Sequence, residues 1–157
     1  MTVLKPLAIL AVVAFCLSPL ASRADEPRGP SPDLSPRDVV AIQLNALRNN
    51  DDPSPDAGIA QTWALAHPNN RRFTGPLERF ARMIRSPLYR DLIGHTAHEI
   101  EEVSATDQEV TFKVVVEAAS GNAIEYVWSV GRAEIAGGEK VWMTVRVSRP
   151  QPAGQAT

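Results

Sequence analysis

Three runs of alternating apolar residues constrain this chain more than anything else in it. Val110, Phe112, Val114 and Val116 form the first, Ile124, Tyr126, Trp128 and Val130 the second, and Val141, Met143, Val145 and Val147 the third. Alternation at a period of two marks a strand buried on one face. Ala119-Ser120-Gly121-Asn122 and Ala136-Gly137-Gly138-Glu139 separate the runs and read as hairpin turns, because glycine accepts a positive φ at little cost. Three such strands form an antiparallel sheet with one strongly apolar face. That face needs a cover, and only the segments before it can supply one.

Those segments read as helices. Ser35-Pro36-Arg37-Asp38 opens the first, with a capping serine, a proline at the first helical position and an acid near the positive end. Val40, Leu44 and Leu47 line one stripe of it, widened by Val39, Ile42 and Ala46. Asp56 is the expected cap of a second helix running from about Ala57 to His67. Gly58 within it either weakens the helix or lets a neighbour approach closely. Pro68-Asn69-Asn70-Arg71-Arg72 reads as a loop. Thr74-Gly75-Pro76 opens a third helix, in which Leu77, Phe80, Ala81 and Ile84 share a face. Ser86-Pro87 stops it. His95 to Val103 reads as a weaker edge strand, whose Glu99, Glu101 and Glu102 discourage pairing with another chain. The expected fold is therefore α+β, with three N-terminal helices packed on a curled four-stranded antiparallel sheet. The covered face is expected to carry Phe112, Tyr126, Trp128 and Met143.

The N-terminal end reads as an export signal over residues 1–24. Lys5 precedes the apolar run Leu7 to Leu17, and Ser22-Arg23-Ala24 places small residues where a signal peptidase reads, before Asp25. The alternative is an uncleaved anchor, although the run is short for a membrane span. Cleavage takes two basic residues, Lys5 and Arg23, from the 16 present, leaving 14 against 18 acidic ones, a net charge of −4 with histidine neutral. It also removes Cys16, the single cysteine, so no disulfide, thiol nucleophile or thiolate ligand is expected in the mature chain. The expected location is secreted or periplasmic. Residues 25–34, rich in proline, read as a disordered tether, 35–148 as the folded domain, and 149–157 as a disordered tail. Mild acidity without a basic block argues against nucleic acid as a partner.

Several pieces together resemble the nuclear transport factor 2-like superfamily, and within it an uncharacterised family of bacterial and plastid proteins. They are Val39-Val40-Ala41-Ile42-Gln43-Leu44-Asn45-Ala46-Leu47, Asn50-Asp51, Asp56-Ala57-Gly58-Ile59, Thr74-Gly75-Pro76-Leu77-Glu78-Arg79-Phe80, Tyr89 with Leu92, and the strand with Trp142. The resemblance implies a cone of helices and concave sheet, often with a pocket. Some members are isomerases, cyclases or dehydratases working through Asp, His or Tyr, and many only bind or dimerise. No acid–base pair of an enzymatic branch is matched here.

The residues leave two readings open. The first is a non-catalytic domain that binds a small apolar ligand or a protein. The second is a cofactor-independent isomerase or lyase acting on a small hydrophobic molecule. Pocket candidates are Tyr126, Trp128, Phe112, Tyr89 and Asp56. Each also has a plainer role, as core aromatic or helix cap. Val115, Val127 and Trp142 are expected together on the outer sheet face, where they would form a homodimer interface. His95 and His98, three apart on a strand, fall on opposite faces and suit no shared metal. No metal or cofactor is expected. The arginines of the third helix, with Arg71 and Arg72, read as a solvated face.

Overall fold

The computed structural model describes residues 26–153. The export signal expected at 1–24 lies outside them. Four α-helices precede the sheet: α1 Pro36–Arg48, α2 Ala57–Ala64, α3 Pro68–Thr74 and α4 Leu77–Ile84. A 3-10 turn, Arg90–Leu92, leads into β1 Ala97–Ala105, β2 Glu109–Glu117, β3 Ala123–Glu134 and β4 Lys140–Val147.

The sheet runs antiparallel in the order β1-β2-β3-β4, and β1 and β4 are its two ends. It is therefore open. The expected three helices on a curled sheet, and the nuclear transport factor 2-like cone implied by the resemblance, are corrected on both counts. The fourth helix is α3, where a loop was expected. His67 caps it, its Nδ1 accepting from the Asn69 N–H at 3.1 Å, and Pro68 stands at the first position, where a missing N–H costs nothing.

Helix α1 starts as expected. Ser35 Oγ accepts from the Asp38 N–H at 3.1 Å and the Asp38 carboxylate accepts from the Ser35 N–H at 2.9 Å. The Ser35 hydroxyl, donating to that carboxylate at 2.6 Å, and then the Ser35 N–H hold the Asp38 carboxyl below its ordinary value. Val39, Val40, Gln43, Leu44 and Leu47 are its buried stripe. Helix α2 crosses it at Gly58, where an added Cβ would collide with the Ala46 carbonyl. Asp56 holds the N-cap position of α2 at φ 64° but makes no capping bond. Asn50 does that work, its Oδ1 accepting from the Ile59 N–H at 3.0 Å, while the Asp56 carboxylate pairs with Arg85, which caps the end of α4.

Helix α2 stops at Ala64, short of His67, because the chain turns to pair with the sheet. The Thr144 N–H donates to the Leu65 carbonyl and the His67 N–H to the Thr144 carbonyl, both at 2.9 Å, so Ala66 forms a parallel bridge on the outer edge of β4. At the other edge, β1 carries exposed Glu99, Glu101 and Glu102.

The face of β4 also differs from expectation. Trp128 pairs with Val147, but Val130 pairs with Thr144, so Val145 is one extra residue against β3. This bulge reverses the side-chain parity of the strand. Thr144 and Trp142 join Phe112, Tyr126 and Trp128 on the helix-covered face, and Met143 turns to the other. The core beneath the helices holds Leu44, Leu47, Ile59, Leu92, Val114 and Trp128, all 1% exposed or less. Each such aliphatic or aromatic side chain contributes roughly 1.5–3 kcal/mol.

Both flanks lie against the domain. The Arg28 backbone exchanges two bonds with the Gln61 side chain, at 2.7 and 2.9 Å, and Leu34 is buried, where a tether was expected. In the expected tail, Gln151–Pro152 forms a short fifth strand, β5, along β3.

Candidate functional site

Bringing α4 and the 3-10 turn over the β4 end of the sheet leaves a cleft of about 220 Å³. Leu47 of α1 and Leu92 line its depth, Phe80, Met83 and Ile84 of α4 form one wall, and the β4 segment Thr144 to Val147 forms another. Phe73 of α3 stands at the rim and is 84% exposed.

The base of the cleft is polar and buried. Gln43, Thr62 and Thr144 line it with Trp128, each no more than 4% exposed. Gln43 Oε1 accepts from Thr144 Oγ1 at 2.6 Å and from Trp128 Nε1 at 3.1 Å. Trp128 Nε1 also reaches Thr144 Oγ1 at 3.2 Å. Gln43 Nε2 donates to the Thr62 carbonyl at 2.9 Å, and Thr62 Oγ1 donates to the Gly58 carbonyl at 2.8 Å. The amide can point only this way, because a carbonyl only accepts and an indole N–H only donates. The network ties α1, α2, β3 and β4 together and satisfies polar atoms that would otherwise be costly to bury.

Helix α3 is held to the body by Arg71. Its guanidinium lies 4.0 Å over the Trp63 ring, and it donates to the carbonyls of Trp63 at 3.2 Å and Ala64 at 2.7 Å. Burial draws its pKa down. Its charge faces the last carbonyls of α2, the negative end of that helix. No residue of α3 is itself buried.

Of the pocket candidates, Trp128 and Tyr89 line the cleft. Tyr126 stacks behind Tyr89, with ring centroids 6.4 Å apart, and its buried hydroxyl has no hydrogen-bond partner. Burial, followed by the influence of Asp91 and Tyr89, pushes that phenol far above its ordinary value. Phe112 is core, opposite Trp128 in the β2–β3 register. Asp56 lies apart, in a second hollow between the α1–α2 loop and α4. The three interface candidates do not share a face. Val127 is 36% exposed on the outer side and Val115 is half-buried there, whereas Trp142 is turned into the core under the Arg132 guanidinium, 3.9 Å from its ring.

The two histidines expected on opposite faces meet. His95 precedes β1, and Gly94 at φ 66° turns the chain so that His95 Nε2 lies 2.8 Å from His98 Nδ1. His95 Nδ1 faces the Leu92 carbonyl at 2.7 Å and so carries the proton. Among the described residues, no group of three or more histidine, cysteine, aspartate or glutamate side chains is placed to hold a metal ion. No helix of the described residues is long and apolar enough to cross a membrane.

A family model, that of a domain of unknown function termed DUF4864, matches residues 32–150. The chain belongs to the DUF4864 family. The matched span takes in α1 to α4, β1 to β4 and all residues of the cleft. Searches of curated proteins and of solved structures each return no match.

Proposed function

We propose that this DUF4864 protein is a non-catalytic binder of a small, uncharged, largely apolar molecule, held in the cleft between α4 and β4. The observation that carries the reading is the pairing of apolar walls with a polar base that is hydrogen-bonded to itself. Such a site rewards burial of an apolar guest and offers little to an ion. The isomerase or lyase alternative needs a proton donor or acceptor poised near neutrality. Tyr126, the best sequence candidate, is pushed the wrong way by burial and sits behind Tyr89.

The test is native mass spectrometry on the full chain, purified from the host that makes it, beside a Met83→Trp variant. Met83 is half-buried along the cleft wall, and an indole there fills the space. Wild type is expected to carry or take up a small apolar molecule, and the variant to fold and bind at least about tenfold more weakly. Equal binding by both would remove the cleft from consideration.

We also propose export. This part rests on residues 1–24 alone, and an N-terminus at Asp25 in the mature protein tests it. A homodimer through the outer sheet face now rests on Val127 and Val115 without Trp142, and sedimentation of the mature chain decides it.

A further inference from the structure

We propose that the guest is a single aromatic ring bearing one hydrogen-bond acceptor and no charge, with the acceptor directed at Gln43. This inference rests on the binding reading above and narrows it to one chemical class.

Size sets the first bound. An apolar cavity of about 150 Å³ admits benzene. A cleft of about 220 Å³ takes such a ring and leaves room for a substituent.

The walls set the second. Phe80, Tyr89 and Trp128 come from three separate segments of the chain and line one space, with the Met83 thioether among them and Phe73 at the rim. Aromatic faces and edges, and a thioether at a ring edge, favour an aromatic guest over an aliphatic one of equal area.

The base sets the third. Among its buried side chains, the hydroxyl protons of Thr62 and Thr144 and the indole proton of Trp128 are all committed. A primary amide carries two donor protons, and Gln43 Nε2 gives one to Thr62. The other is the remaining donor in that set. A carbonyl, ether or similar acceptor on the guest satisfies it.

Charge sets the fourth. Among the described residues, Arg146 is the one charged residue along the cleft. It pairs in register with Ser129, on the far side of the sheet from Trp128, so its side chain starts from the outer face. A carboxylate guest finds no cation at the base.

Three probes of similar size separate these terms: acetophenone, ethylbenzene and cyclohexyl methyl ketone, titrated calorimetrically into the full chain. Acetophenone is expected to bind at least about tenfold more tightly than either of the others. In Gln43→Met the gap between acetophenone and ethylbenzene is expected to close. The wild-type comparison stands even if that variant fails to fold. A gap below tenfold against ethylbenzene overturns the acceptor, and one below tenfold against the cyclohexyl ketone overturns the aromatic ring. Either result leaves the apolar-binding reading in place. Failure of all three probes to bind overturns both.

Discussion

Tyr126 holds a buried hydroxyl with nothing to bond to, beside a ring that stacks well. A buried polar group without a partner costs roughly 1–3 kcal/mol, so its removal should relieve the fold. Tyr126→Phe is expected to leave stability unchanged or raise it by about 1 kcal/mol in chemical denaturation. A loss of that size would show that the hydroxyl has a partner in solution. The His95–His98 pair behaves differently. Burial lowers both pKa values, with the Leu92 carbonyl pulling His95 the other way and Arg48 adding to the depression of each. Depressed histidine values mean that the folded state binds fewer protons than the unfolded one. Stability is then complete above the ordinary value of 6.5 and falls as pH drops below it toward the folded values. Thermal melts from pH 7.5 to 5 are expected to show this fall. His98→Asn, which keeps a donor to His95 and loses a titrating ring, should flatten it. Parallel curves for the two proteins would assign the pH dependence to other groups.

At the scale of elements, the α1–α2 crossing depends on one missing side chain. Gly58→Ala gains helix propensity, yet its Cβ meets the Ala46 carbonyl, which is backbone and cannot rotate away. The variant is expected to lose about 3 kcal/mol in urea unfolding. A stabilised variant would mean that the helices do not approach so closely. The strands were legible because alternation at Phe112, Tyr126 and Trp128 is strong and local. The extra residue at Val145 was not legible, since no glycine or proline marks it, and so Met143 and Trp142 were assigned to the wrong faces. Helix α3 escaped for a related reason. It buries nothing, so it has no apolar stripe to read, and Asn69, Asn70 and Pro68 are the residues of turns. Arg71 looked like a solvated charge and is a strut over Trp63.

For the whole molecule, the layer order of helices before an antiparallel sheet followed from pattern alone, and closure into a cone did not. Whether a sheet closes depends on how its end strands are used, and here Ala66 takes one edge of β4. The cleft was partly legible. Trp128 and Tyr89 were among the candidates, but Gln43 was hidden as a polar residue inside an apolar stripe, where only its partners on α2, β3 and β4 give it meaning. Those partners also set an order of events. The bond from Thr144 to Gln43 spans 101 positions, and that from Trp128 spans 85. Contacts so distant along the chain carry a large loop-closure cost and form only when much of the topology is in place. The base of the cleft is therefore a late product of folding, absent from a nascent chain until β4 has been made. A guest that recognises it binds finished molecules alone, and in doing so draws the folding equilibrium toward them.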